Sequence, residues 1–267
     1  MPVAEYRMLG FSLLSESYYL ARSSGFLSTS VGRRLFLSSY FVYKRRLEDT
    51  YSALIENRPE LFRGGHILDV GANVGYCSVL FAGATDAGQK VYGFEPEPFN
   101  FALLKQVLRQ RGLNGRVVAT RTAVGNANGT VRLWLNPRHH GDHRIFTDAL
   151  VGETVEVPVV SIDSFVERES VHPVRFIKID VQGYEPAVCE GMGRTLAANP
   201  DCVVSLEYMP AALREQGYDP RKLVEWFESR GYNAHSVLRG GKLKPGVPKN
   251  LREDEWLDLL FAKGALA

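Results

Sequence analysis

The sequence predicts an α/β protein: a mostly parallel sheet of seven strands with helices on both faces, a β-hairpin-like insertion and an N-terminal helical extension. Three observations lead there. His66 to Ser78, HILDVGANVGYCS, joins a short apolar run to a glycine-bounded turn and the start of a helix. Lys90 to Pro96, KVYGFEP, is a second β-prone run about one half-unit later, ending in Glu95. Beyond it, apolar runs of strand length alternate with segments of helical period, apart from a strand-rich stretch between Val131 and Ile162. Strands that alternate with helices build parallel sheets, because a parallel crossover needs a connection of helix size.

The elements follow in order. Residues 1–60 read as the helical extension and 61–267 as the main domain. Phe36, Tyr40, Tyr43, Leu47, Tyr51 and Leu54 recur at helical spacing, which predicts one amphipathic helix ending before Pro59. Such a helix packs on the sheet or on a partner subunit, so a homodimer through the N-terminal helices is a candidate assembly. Ile67, Leu68 and Val70 form the first strand, buried on both faces. Pro98 to Arg111 is a helix stopped by Gly112, and Arg116 to Thr122 is the third strand. Val131 to Leu135 and Val155 to Ile162 are the strands of the insertion, and Ser161 is the N-cap of the next helix. Val174 to Val181, a helix over Pro186 to Leu196, Cys202 to Tyr208 and a helix over Lys222 to Arg230 come next. Tyr232 to Val237 and Trp256 to Lys263 are the last strands, joined by a solvated loop, RGGKLKPGVPKN. That connection is too short for a crossover helix, so the final strand should run antiparallel beside the fifth.

Composition narrows the partners. At 267 residues with a formal net charge of +2, the chain suits one large domain with an appendage. No run of basic residues is interleaved with aromatics, so nucleic acid is not expected as a partner. Cys77, Cys189 and Cys202 are odd in number and lack metal spacing, which points to reduced thiols and a cytoplasmic protein. No apolar run has the length of a membrane span, and Glu5 and Glu16 interrupt the N-terminus where a secretory signal would be apolar. Neither a membrane nor secretion is expected.

The chemistry centres on the glycine turn. A dinucleotide fingerprint needs glycine at the third position of the turn, where Asn73 stands, and this argues against a nicotinamide-dependent oxidoreductase. A cofactor carrying both an ammonium group and a carboxylate fits better. Asp69 at the strand end could position the cation while the turn from Gly71 through Asn73 to Gly75 takes the anion on its amides. Glu95 ends the second strand, where an acid accepts hydrogen bonds from a ribose diol, and Pro96 fixes the backbone that aims it.

Together, DVGANVG (Asp69 to Gly75) and FEP resemble the first two motifs of the class I S-adenosylmethionine-dependent methyltransferases. Phe176 to Glu185 (FIKIDVQGYE), Thr122 to Gly125 (TAVG), Val157 to Phe165 (VPVVSIDSF) and Ser205 to Pro210 (SLEYMP) narrow the resemblance to the FkbM family, over roughly residues 60–265. The resemblance implies S-adenosyl-L-methionine as cofactor, with Ala123 near its adenine. It also implies a small-molecule acceptor, a sugar or polyketide/macrolide-type compound methylated on a hydroxyl. An N-methyltransferase on a similar acceptor, or a non-catalytic module that only binds S-adenosylmethionine, is the alternative. The family usually carries glutamate where Gln182 stands.

The acceptor side offers Asp180 and Glu207, acids ending neighbouring strands, and the loop RHHGDHR, which gathers His139, His140, Asp142 and His143. Two carboxylates held close need a proton, a cation or a hydrogen-bonded partner between them. One solution is a divalent ion such as magnesium on Asp180 and Glu207. The other is metal-free, with His139, His140 or His143 as general base and a carboxylate to orient it.

Overall fold

The computed structural model describes residues 18–136, 142–145, 152–252, 255–264 and 266. In chain order its strands are β1 (His66–Val70), β2 (Val91–Phe94), β3 (Val117–Thr120), β4 (Ala123–Val124), β5 (Gly129–Trp134), β6 (Arg144–Ile145), β7 (Thr154–Val160), β8 (Val174–Ile179), β9 (Val203–Tyr208), β10 (Tyr232–Leu238), β11 (Lys242–Pro245) and β12 (Leu257–Lys263). The helices are α1 (Ser30–Tyr43), α2 (Tyr51–Asn57), α3 (Tyr76–Ala84), α4 (Pro98–Gln110), α5 (Ile162–Glu169), α6 (Glu185–Glu190), α7 (Gly193–Ala198), α8 (Pro210–Glu215) and α9 (Pro220–Glu228).

The central sheet runs β11-β10-β12-β9-β8-β1-β2-β3. β3, β2, β1, β8 and β9 are mutually parallel, and β12 lies antiparallel between β9 and β10. The predicted antiparallel final strand is therefore in place. The predicted count of seven becomes eight, because part of the loop after β10 turns back as the edge strand β11. Gly240 and Gly241 both have positive φ, 77° and 70°, which lets the chain reverse tightly there. β11 reads as loop in the sequence because Lys242, Lys244 and Pro245 blunt it as an edge.

The insertion is also larger than a hairpin. β5 and β7 pair antiparallel as predicted, but β4 adds to β7 and β6 adds to β5, giving a separate sheet in the order β4-β7-β5-β6. Ala123, Leu133, Leu135 and Val157 form its small core. Ser161 caps α5 by accepting from the Ser164 N–H at 3.2 Å. The predicted helix over Pro186 to Leu196 is two helices, α6 and α7, divided where Gly191 abuts the backbone of Gly125.

Strand alternation sorts the core into two layers. Leu68, Val70, Ile177, Ile179 and Leu206 face α5 to α9 with Phe165, Val188 and Phe227. Ile67, Phe176, Val203 and Leu260 face α2, α3 and α4 with Leu54, Phe62, Phe81 and Leu104. Here the single N-terminal helix predicted from periodicity is corrected to two. After α1 the chain winds one π-turn over Lys44–Glu48, becomes extended at Asp49 and restarts as α2, whose Ser52 N–H is capped by Asp49 at 2.9 Å. Periodicity cannot see this break, because both halves keep their apolar spacing. Among the described residues no helix is long and apolar enough to cross a membrane. Cys77, Cys189 and Cys202 are free thiols.

Tyr51, Phe62, Phe81 and Phe176 pack as one aromatic cluster, with Phe62 and Phe176 ring centroids 4.5 Å apart. This cluster ties residues 51–62 to the sheet. Phe62→Ala should therefore lower the unfolding free energy by about 3–5 kcal/mol, read from urea denaturation. A loss below ~1 kcal/mol would show that the segment is not part of the cooperative core.

Candidate active site at the carboxyl edge of the sheet

At the carboxyl ends of β1, β2 and β8 lies an open cleft, walled on one side by the insertion. Gly71, Asn73, Glu95, Pro96 and Ala123 line it, as do Asp180 and His143, with Asn100, Thr122, Gln182 and Tyr184 added. Asp69 and Gly75 stand behind the cleft, Glu207 is reached through Gln182, and His139 and His140 lie outside the described residues.

The floor follows from β1. Alternation puts Leu68 and Val70 toward α5 and leaves Asp69 on the face of Ile67, fully buried under α3, where it accepts the Ser78 hydroxyl at 2.5 Å. It holds the turn from beneath and does not reach the cleft. Gly71 then comes so close to β8 that a Cβ would lie 1.9 Å from the Asp180 carbonyl oxygen, so glycine is required there. Asn73 takes positive φ, 49°, and aims its N–H at Glu95 Oε2, 2.8 Å away. The Glu97 N–H donates to the other oxygen at 2.9 Å.

Glu95 is thus fixed by backbone amides while only 5% exposed. Burial is the main force on its carboxyl and pushes its pKa up to about 8. The Glu97 and Asn73 amides pull against that rise, and the Glu97 charge adds to it.

β8 carries the charge. The register pairs Lys178 with Asp69 on one side and Ser205 on the other. Lys178 is 4% exposed, and its Nζ donates to Gly71 O at 2.9 Å and stands 3.4 Å from both Asp69 Oδ1 and Asp180 Oδ2. Burial alone would lower the lysine pKa, but Asp180 and Asp69 outweigh it and keep the ammonium charged. Burial likewise works against the Asp180 charge, yet Lys178 and then Lys44 hold this carboxyl below the usual range, so it stays ionised.

Gln182, at a positive φ of 56°, donates from Nε2 to Asp180 Oδ1 at 2.9 Å and to Glu207 Oε2 at 2.8 Å. A hydrogen-bonded partner thus stands between the two carboxylates. Glu207 is pushed well above the ordinary glutamate value by burial first and by Asp180, Glu185 and Asp258 next. The pair is therefore pushed apart, Asp180 toward its charged form and Glu207 toward its protonated form. Among the described residues no three His, Cys, Asp or Glu side chains gather as a metal site.

The N-terminal segment covers this polar stripe. Thr50 donates to Asp258 at 2.7 Å, Tyr51 and Ser205 share a hydrogen bond of 3.1 Å, and Lys44 pairs with Glu48 at 2.7 Å. Tyr76 packs on Phe41 and donates to Asp49 at 2.8 Å, so it is a structural tyrosine. His143 accepts at Nδ1 from the Asn136 N–H at 3.0 Å, which puts the proton of the neutral ring on Nε2. That tautomer offers a donor at Nε2, whereas the predicted general base needs an acceptor.

Comparison with known proteins decides the family. The profile of the methyltransferase FkbM domain matches residues 69–234. The chain belongs to the FkbM methyltransferase family. It is 24% identical over 190 residues to the hexuronic acid methyltransferase AglP of Haloferax volcanii, covering 71% of this chain and 67% of that protein. It is 26% identical over 181 residues to the 31-O-demethyl-FK506 methyltransferase FkbM of Streptomyces tacrolimicus, covering 57% of this chain and 68% of that protein. The crystal structure of methyltransferase FkbM from Methylobacillus flagellatus shares the fold, with a TM-score of 0.51 at 16% identity, over 96% of this chain but 58% of that one.

Within this FkbM domain Lys178 went unnoticed in the sequence, although its signal is plain: a lone lysine inside the apolar run Phe176-Ile177-Lys178-Ile179. Removing it strands the buried Asp69 carboxylate and the partly buried Asp180 one. Lys178→Met should cost about 3–5 kcal/mol of stability at neutral pH. Part should return as the pH falls and Asp180 takes up a proton. A thermal melt unchanged at pH 7 would refute the assignment.

Proposed function

We propose that the protein transfers a methyl group from S-adenosyl-L-methionine to a hydroxyl of a small molecule, a sugar or polyketide-type acceptor. The observation that carries this reading is an ionised Asp180 at the mouth of a cleft whose floor is an amide-fixed acid, Glu95. The names of the two curated relatives, a hexuronic acid methyltransferase and a 31-O-demethyl-FK506 methyltransferase, support the acceptor class.

The residues suit the cofactor. Glu95 lines the cleft, within which its carboxyl would meet a ribose diol, and Asn73 Oδ1 is buried without a hydrogen-bond partner. Gly71 leaves its backbone bare, and Thr122 and Ala123 offer a small-residue wall for the adenine. When bound, S-adenosylmethionine supplies an electrophilic methyl group on a sulfonium.

Asp180 then accepts the hydrogen of the acceptor hydroxyl and orients the oxygen. As that oxygen gains a bond to carbon its proton becomes strongly acidic, so a carboxylate of low basicity is enough to take it. Gln182 and Lys178 fix the two Asp180 oxygens.

Ribose hydroxyls favour the carboxylate form of Glu95, whose proton in the free protein leaves only near pH 8. Cofactor binding at neutral pH should therefore release a proton, and affinity should climb as the pH rises toward about 8 and then level off. Calorimetry in buffers of different ionisation enthalpy reads both effects. Glu95→Gln should flatten the profile and weaken binding by about 1.5–3 kcal/mol. An unchanged profile would place the ribose elsewhere.

Transfer of labelled methyl to a panel of glycosides and macrolides tests the activity itself. Asp180→Asn should reduce turnover roughly a hundred- to ten-thousandfold while S-adenosylhomocysteine affinity is kept, and activity should survive exhaustive EDTA. Loss under EDTA with rescue by magnesium would overturn the metal-free reading.

A further inference from the structure

The N-terminal helical unit has a second face that nothing in the described chain covers. Among the described residues, the large apolar side chains that stand exposed concentrate in residues 19–47, with only Val118 and Leu238 elsewhere. On α1 they form a stripe: Val31, Leu35 and Val42 are 62%, 57% and 53% exposed. Steps of four and seven residues put all three on one side of a helix. That side is opposite Phe36, Leu37 and Tyr40, which are buried against residues of α3 and α4 such as Tyr76, Leu103 and Val107. A surface helix ordinarily turns a polar face to water, but α1 is apolar front and back.

Charge indicates what the outer face meets. From Tyr18 to Leu47 the sequence holds Arg22, Arg33, Arg34, Lys44, Arg45 and Arg46 and no aspartate or glutamate. Three of these are used within the protein: Arg22 donates to the Tyr18 hydroxyl, Lys44 pairs with Glu48, and Arg33 donates to the carbonyls of Leu27 and Ser28. Arg34, Arg45 and Arg46 are exposed and border the apolar stripe. Apolar side chains flanked by arginines are the pattern of a helix that lies in a membrane interface.

We propose that the outer face of α1 docks on the surface of an anionic lipid bilayer. Val31, Leu35 and Val42 enter the interface, and Arg34, Arg45 and Arg46 meet the headgroup phosphates. A second copy of the chain is the competing occupant. A two-fold contact, however, would bring the same arginines of both copies together with no acid of this segment to offset them. The sequence reading gave this helix no membrane role, since its inward aromatic stripe accounts for the helical periodicity. Only the folded chain shows that Val31, Leu35 and Val42 are left outside. Because the other side of α1 packs beside the glycine turn, docking holds the cleft next to the membrane plane.

Flotation of the full-length protein with vesicles tests this. Phosphatidylcholine alone is compared with a two-to-one mixture of phosphatidylcholine and phosphatidylglycerol, each at low and high salt. The protein should float with the mixed vesicles only, and less as salt rises. Arg34→Gln and Arg45→Gln should each weaken partitioning about fivefold, and the triple change Val31→Ser, Leu35→Ser, Val42→Ser should abolish it. These positions are exposed and none lines the cleft, so circular dichroism and S-adenosylmethionine affinity should be unchanged. Failure to float with the mixed vesicles, equal flotation with phosphatidylcholine alone, or equal flotation of the variants would overturn the proposal. So would a dimer in sedimentation equilibrium that Leu35→Ser with Val42→Ser dissolves.

Discussion

The carboxyl edge of the sheet depends on one buried ammonium. Lys178 sits where β1 and β8 are in register, and its Nζ meets Gly71 O, Asp69 and Asp180 together. Burying a charged group is expensive unless its partners are close and fixed, and here all three are fixed by strand geometry. The same contacts permit the backbone of the glycine turn to approach β8, since Lys178 bonds the Gly71 carbonyl while the turn packs against Asp180. The turn that would hold a cofactor and the acid that would face an acceptor are therefore set by a single side chain.

That ammonium also sorts the acids. Asp180, Glu207 and Asp258 stand on neighbouring strands, with Glu207 and Asp258 paired directly in register. Three carboxylates at such spacing cannot all ionise at ordinary cost. Asp180, touching Lys178, keeps its charge, whereas burial raises Glu207 and Asp258, the latter partly relieved by the Thr50 hydroxyl. Thr50, Tyr51 and Lys44 cover this stripe from a segment that precedes the matched span 69–234. The residues before the family domain are thus part of the electrostatics of its edge.

The strands and their order were legible because each apolar run in the sequence ends in a turn residue or an acid, and because the last connection is too short to cross over. What was not legible is parity and neighbourhood. Asp69 looks like a ligand group from its place at a strand end, but it shares a face with Ile67 and lies beneath α3. Gly75 is spaced like a binding glycine, yet it stands behind the cleft, where a Cβ would meet Leu104. The tautomer of His143 is set by a backbone amide seven residues away, which no residue pattern announces. Lys178 could have been found, since a lysine inside a doubly buried strand needs buried partners, and Asp69 and Asp180 were already in view.

Gln182 shows what one atom changes at this edge. The family pattern usually has glutamate there, and a third carboxylate beside Asp180 and Glu207 would require another stored proton, whose position would shift with pH. An amide of the same length adds no charge and has two N–H bonds, one for each acid. It occupies a left-handed backbone conformation, an uncommon one for glutamine, which the turn into Gly183 and the Glu185 carboxylate beneath it hold in place. The cluster then favours the protonated form at Glu207 and the charged form at Asp180. In this chain the chemistry of the edge is set as much by the neutral side chain between the acids as by the acids themselves.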